Sequence, residues 1–215
     1  TSATSATSAT SATSATSATS ATSATSATSA TSATSAVAGV EAARRDLAKP
    51  LGSLTQMNTI RLGKRTELRT PLVRDFLPLT PLEDLVFGSW DPIPDNGYES
   101  AVRANVLTDK HLDPIRDFLE GIEPMPAVFD QEYVRRLDGT NVKTGRNKME
   151  LAEQLRSDIQ RFKREKACDR VVMIWCGSTE VFLRSGPAHE SLKAFEAAME
   201  ANDPAIAPSM IYAYA

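Results

Sequence analysis

The chain has 215 residues, a formal net charge of -3 and a near-even balance of 24 basic and 27 acidic side chains. That balance excludes the broad basic surface a nucleic acid requires, and two cysteines are too few for a disulfide scaffold, so a reducing, cytoplasmic setting is expected. No apolar run approaches the roughly 20 residues needed to span a bilayer, and no basic start followed by an apolar core marks a secretory signal, so no membrane partner is expected.

Residues 1–36 repeat the triplet Thr-Ser-Ala without variation. With no side chain larger than threonine, they have almost nothing to bury against the entropy of ordering a backbone, and a disordered or artificial low-complexity segment is expected. Residues 37–215 then amount to one domain. Val40, Ala43 and Leu47 recur at helical spacing until Pro50. Leu51 to Gly63 reads as a short strand or extended connection into a basic loop, and Arg44, Arg45, Arg61, Lys64, Arg65 and Arg69 make this early segment locally basic, with charges that either face water or hold a phosphate. Pro71, Pro78 and Pro81 limit Leu72 to Leu77 to a brief helix or turn.

Glu83 to Trp90 is predicted as a strand, with Leu85, Val86 and Phe87 consecutive and apolar as in a parallel strand covered by helices. It ends at Asp91, an acid that either accepts hydrogen bonds from a ribose diol or begins a turn before Pro92. Helices are predicted over Tyr98 to Val106 and Leu112 to Ile122, the second with Leu112, Ile115, Phe118, Leu119 and Ile122 at core-face spacing. His111 has no histidine or cysteine nearby and reads as a surface or capping residue rather than a metal ligand. Ala127 to Phe129 is a further candidate strand, Gln131 to Leu137 one or two helical turns, and Asn141 to Asn147 a loop. The strongest helical pattern covers Lys148 to Lys166, with Ala152, Leu155, Ile159 and Phe162 on one face.

That helix leads into DRVVMIWCGSTEVF, Asp169 to Phe182. Val171 to Trp175 is too short for a buried helix and rich in β-branched residues, which predicts a strand buried on both faces in mid-sheet. Cys176, Gly177, Ser178 and Thr179 then replace the apolar run with small and hydroxyl groups, as where a parallel strand delivers its carboxyl end to a ligand crevice. The alternative is that Ser178 or Thr179 starts a turn or caps a helix. The order helix then strand makes a right-handed parallel crossover, and the fold class is α/β. A last helix opens at His189 or Glu190 with Leu192, Phe195, Ala198 and Met199 inward and stops at Asp203 and Pro204. Ile206 to Ala215 is apolar without a cap or polar tail, which predicts exposed apolar surface at a truncated end.

Five strings, GSLTQMNTIRLGKR (52–65), DLVFGSWD (84–91), PMPAVFDQEYV (124–134), VVMIWCGSTE (171–180) and PSMIYAYA (208–215), together resemble the myo-inositol-1-phosphate synthase family, particularly its prokaryotic branch. The resemblance implies a Rossmann-like, doubly wound, mainly parallel sheet, incomplete in this chain, and NAD as cofactor. It also implies, for the intact protein, conversion of glucose 6-phosphate to inositol 1-phosphate by oxidation, aldol cyclisation and reduction, in a homotetramer.

Carried over by position, Asp91 matches the acid that contacts the adenosine ribose, and Ala127 with Val128 matches a stretch near the adenine end. Cys176, Gly177, Ser178 and Thr179 match the strand end that lines the dinucleotide, although only Thr179 keeps the eukaryotic pattern. Cys176 is either a reactive thiol or a small core residue.

Two departures bear on function. The triplet repeat stands where the family carries its glycine-rich pyrophosphate turn, and the family's catalytic lysines and acids lie beyond Ala215, so no catalytic or metal residue is expected in this chain. Alone, it is expected neither to hold NAD tightly nor to turn over substrate. The same fold also suits a non-catalytic nucleotide-binding or docking module, and a structural protein defined by its repeat is a third reading.

Overall fold

Where the apolar spacing is most regular, the chain forms its longest described helix. The computed structural model describes residues 17–19, 37–38, 41, 45 and 59–215, except 68, 82, 83, 106 and 178. In chain order its elements are β1 (Ser17–Thr19), α1 (Val73–Phe76), α2 (Gly97–Ala104), α3 (Asp109–Leu112), α4 (Arg116–Glu120), α5 (Lys148–Glu165), β2 (Val172–Ile174), α6 (Leu192–Glu200) and α7 (Pro208–Tyr214), with 3-10 turns at Asp113–Ile115 and Pro187–His189. The expected helix around Val40, Ala43 and Leu47 lies outside the described residues, although Val37, Ala38 and Glu41 are helical. Most of the expected disorder of residues 1–36 also falls outside them, but Ser17–Thr19 form a strand.

Helix α5 starts where the Asn147 side chain accepts the Glu150 N–H, satisfying one orphan donor of the first turn. Its buried face, Ala152, Leu155 and Phe162, follows the predicted stripe and packs against α6 and α7. Trp90, Ala127, Val128, Met199, Ile206, Ile211 and Tyr212 close the main core around it. A second cluster joins Ala38, Ala101, Leu112, Ile115 and Leu119. The expected helix Leu112 to Ile122 is broken into α3, a 3-10 turn and α4, because Pro114 removes a backbone donor and crowds the preceding turn. Its core face survives the break.

Three expectations are corrected. The apolar terminal segment is not exposed: Ile206, Ala207, Ile211 and Tyr212 are all buried, because α7 lays its apolar face on α5 and Trp90. Arg156 of α5 supplies the missing cap, donating to the carbonyls of Tyr214 (3.2 Å) and Ala215 (3.4 Å). The strand Val171 to Trp175 is not buried on both faces. It shortens to β2, and Met173, Ile174 and Trp175 are 36–43% exposed. Its one ladder among the described residues is the parallel pairing of Ser17, Ala18 and Thr19 with Val172, Met173 and Ile174. Leu192, the first residue of α6, is 65% exposed and does not face inward, whereas Ala198 and Met199 do.

The predicted strands at 83–90 and 127–129 appear as isolated parallel bridges, Trp90 with Met125 and Ala127 with Val142. Pro92, Pro124 and Pro126 cannot donate to a ladder, which restricts each pairing to a single bridge. Val142 thereby leaves the expected loop of Asn141 to Asn147, and Gln131 to Leu137 forms turns rather than helix. The basic segment folds back through antiparallel bridges, Thr59 with Leu72 and Leu62 with Arg69, around Gly63 at φ 78.

Gly139 sits against the turn after Asp91. A Cβ there would lie 2.5 Å from both the Cβ and the carbonyl oxygen of Pro92, and backbone cannot swing aside as a side chain can. Gly139→Ala is expected to cost about 1–3 kcal/mol, seen as a fall of several degrees in Tm. An unchanged Tm would show that residues 91–93 move freely.

Candidate functional site

Three segments meet at Tyr212 of α7, a buried residue of the main core. Trp90 packs edge-on against the Tyr212 ring at 5.5 Å, and Trp175 lies against it at 5.2 Å. The Tyr212 hydroxyl accepts the Val128 N–H at 2.9 Å. One buried side chain therefore touches the residue before Asp91, the residue before Cys176 and Val128 itself. Burial pushes the Tyr212 hydroxyl well above the ordinary tyrosine range, so it stays protonated.

The segments stay together just beyond those positions. Ile93, Phe129, Val181 and Leu183 pack into one apolar cluster with Tyr133, Val134, Leu137 and Ala207. Ile93 lies two residues past Asp91 and Val181 two past Thr179. Glu180 accepts hydrogen bonds from the N–H and hydroxyl of Ser209 in the first turn of α7, and the Val181 N–H donates to the Tyr133 carbonyl at 2.9 Å.

Asp91 is 5% exposed. Burial pushes its carboxyl up to about 7, opposed by the Ile93 N–H, which donates to Oδ1 at 2.9 Å; nearby Asp95 adds to the rise and Arg103 counters it. Asp91 thus does begin a turn, its carboxylate accepting the Ile93 N–H. Ala127 has both backbone groups engaged, its N–H with Asn141 O at 2.9 Å and its carbonyl with Lys143 N–H at 2.8 Å. The Val128 N–H is likewise taken by Tyr212. Neither residue has a free N–H to offer a ligand, and their side chains, 1% and 4% exposed, belong to the main core.

Cys176 and Gly177 are half-buried and follow Trp175, the first residue after β2. Burial pushes the Cys176 thiol up, which favours the unreactive protonated form and supports the small-core reading. The Trp175 indole N–H donates to the Gly177 carbonyl at 3.2 Å, and a Cβ on Gly177 would lie 2.5 Å from the Trp175 ring. Thr179 is half-buried in a turn, and Ser178 lies outside the described residues.

Sequence reasoning missed the polar cluster beneath Trp90. Asp158, buried in mid-α5, accepts the Trp90 indole N–H at 2.9 Å and pairs with Lys143 at 2.6 Å and Arg161 at 2.9 Å. The signal was present for Asp158, which lies three residues after Leu155 and four before Phe162, on the apolar stripe itself. Nothing marked Lys143. Among the described residues no group of three His, Cys, Asp or Glu side chains can hold a metal ion, and no helix is long and apolar enough to cross a membrane.

A family model described as myo-inositol-1-phosphate synthase, an NAD-binding model, matches residues 28–215, and NAD is the cofactor it indicates. The chain is 48% identical over 178 residues to inositol-3-phosphate synthase 1 of Bacteroides thetaiotaomicron, covering 82% of this chain and 41% of that protein. It is 32% identical over 171 residues to inositol-3-phosphate synthase of Trypanosoma brucei brucei, covering 77% of this chain and 32% of the relative. The crystal structure of inositol-3-phosphate synthase from Caenorhabditis elegans shares the fold, with a TM-score of 0.75 at 23% identity over 94% of this chain and 42% of that one. The chain thus spans about two fifths or less of the length of these relatives.

Proposed function

That the chain belongs to the myo-inositol-1-phosphate synthase family is the premise from which we propose its function: it forms the adenosine side of the NAD site in an enzyme converting glucose 6-phosphate to inositol 1-phosphate. The observation that carries this reading is the buried Asp91 carboxylate, held at a strand end that shares one core with the ends at Val128 and Trp175. When bound, NAD supplies a hydride acceptor and donor, so that oxidation and reduction close on one cofactor.

Asp91 accepts hydrogen bonds from the ribose diol, and its ionised form is the competent one. Ala127 and Val128 stand at the adenine end, their N–H groups engaged. Cys176, Gly177, Ser178 and Thr179 line the dinucleotide, with Thr179 offering a hydroxyl. The parallel bridges and the β1–β2 pairing support a doubly wound, mainly parallel Rossmann-like sheet over residues 37–215, completed on one side by repeat residues where a first strand belongs. A homotetramer in the cytoplasm follows from the family reading, and sedimentation would test the assembly.

Because the Thr-Ser-Ala repeat replaces the glycine turn, NAD is expected to bind more weakly than micromolar, and Asp91→Asn to lose about tenfold or more of what affinity there is, since a hydrogen bond to a charged group contributes about 1.5–3 kcal/mol. Ligand-observed NMR titration reads both. Equal affinity of the two proteins would overturn the ribose contact, and micromolar binding would show that the pyrophosphate is held without a glycine turn.

A further inference from the structure

Asn141 is tied to both strand ends of the site. Its side-chain amide donates to the Asp91 carbonyl at 2.9 Å and to the Pro124 carbonyl at 3.3 Å. Its backbone N–H donates to the Pro92 carbonyl at 2.8 Å, and its own carbonyl accepts the Ala127 N–H at 2.9 Å. The carbonyls on both sides of the Asp91–Pro92 junction are thus held by one residue, which is also registered on the neighbouring strand end.

A carboxylate that must meet a diol in two-point geometry depends on the direction of its own Cα–Cβ bond, and an error of about 1 Å at such a site is costly. The local Ile93 N–H bond to Oδ1 fixes the carboxylate relative to its own turn. It does not fix the turn relative to Ala127 and Val128. Asn141 does, and a carboxamide suits the task because its two N–H donors can serve carbonyls on two different strands. An aspartate of the same shape would set an anion against both carbonyls.

We propose that Asn141 is a positioning residue that aims the Asp91 carboxylate at the adenosine ribose and sets its spacing from the adenine-side wall of Ala127 and Val128. This rests on the NAD reading above, and the test separates the two. Affinity is measured by ligand-observed NMR for NAD and for the analogue whose adenosine ribose lacks both hydroxyls, on the wild-type chain, Asn141→Ala, Asp91→Asn and the double variant. Asn141→Ala is expected to weaken NAD about tenfold and the analogue less than twofold. In the Asp91→Asn background it should have no further effect, the non-additivity of two residues acting as one unit.

Unchanged NAD affinity in Asn141→Ala, equal losses for NAD and the analogue, or additive losses in the double variant would each overturn the positioning role while leaving Asp91 in place. No loss in Asp91→Asn would overturn the ribose contact and this proposal with it. If Asn141→Ala fails to fold by circular dichroism, Asn141→Ser, which keeps one donor, takes its place, with an intermediate loss for NAD alone expected.

Discussion

Asp158→Ala is expected to destabilise the chain by about 3–5 kcal/mol, the usual cost of leaving one member of a buried ion pair behind. The Lys143 ammonium is 2.6 Å from Asp158, and both side chains are less than a tenth exposed. The variant also strips the Trp90 indole of its acceptor and Arg161 of its partner. Replacing both charges, as in Lys143→Met with Asp158→Leu, should recover much of that loss, because two apolar groups of similar volume leave no charge uncompensated. Urea unfolding followed by circular dichroism gives both values. Equal losses in the single and double variants would mean that the pair contributes only packing. Since Trp90 adjoins Asp91, the cluster also anchors the strand end on which the proposed site depends.

Asp91→Asn carries the second large effect, and its two consequences run in opposite directions with pH. A carboxyl raised from its ordinary value to about 7 by burial lends its full contribution to stability below the ordinary carboxylate range, where it is protonated in both folded and unfolded chains. That contribution is lost as pH rises through about 7, when the folded chain must hold a buried anion. The asparagine variant keeps an oxygen for the Ile93 N–H and escapes this penalty. It is therefore expected to be more stable than the wild type above pH 7, by about 2–4 kcal/mol, with the difference vanishing near pH 4. NAD binding should follow the other sign, strengthening in the wild type as pH rises through about 7 and losing that dependence in the variant. Denaturant titrations at several pH values, paired with NMR titrations of NAD, read both. A variant less stable than wild type at pH 8 would show that the Asp91 carboxylate is stabilised by a partner rather than strained by burial.

What could be read from the chain beforehand followed the strength of each local signal. Helix α5 was legible because Ala152, Leu155, Ile159 and Phe162 keep one apolar period across its whole length. The strands were legible as positions but not as ladders, since the prolines flanking Met125 and following Asp91 limit pairing to single bridges. The exposure of Met173, Ile174 and Trp175 was not legible, because an apolar run reports β propensity and not whether a helix covers it. The burial of the terminal segment depended on α5 and on Arg156, more than fifty residues away in sequence. For the site, Asp91 and the run after Trp175 stood out as polar or small groups ending apolar runs. Tyr212, Asn141 and Lys143 did not, because each acts through contacts between segments distant in sequence.

Asp91, Val128 and Thr179 are proposed to border a single nucleotide cleft. Titrating the isotopically labelled chain with NAD, and following the backbone amides of these three residues by heteronuclear NMR, tests it directly. All three are expected to shift together along one binding curve while the amides of α1 stay still. Shifts confined to one of the three, or saturating on separate curves, would contradict it.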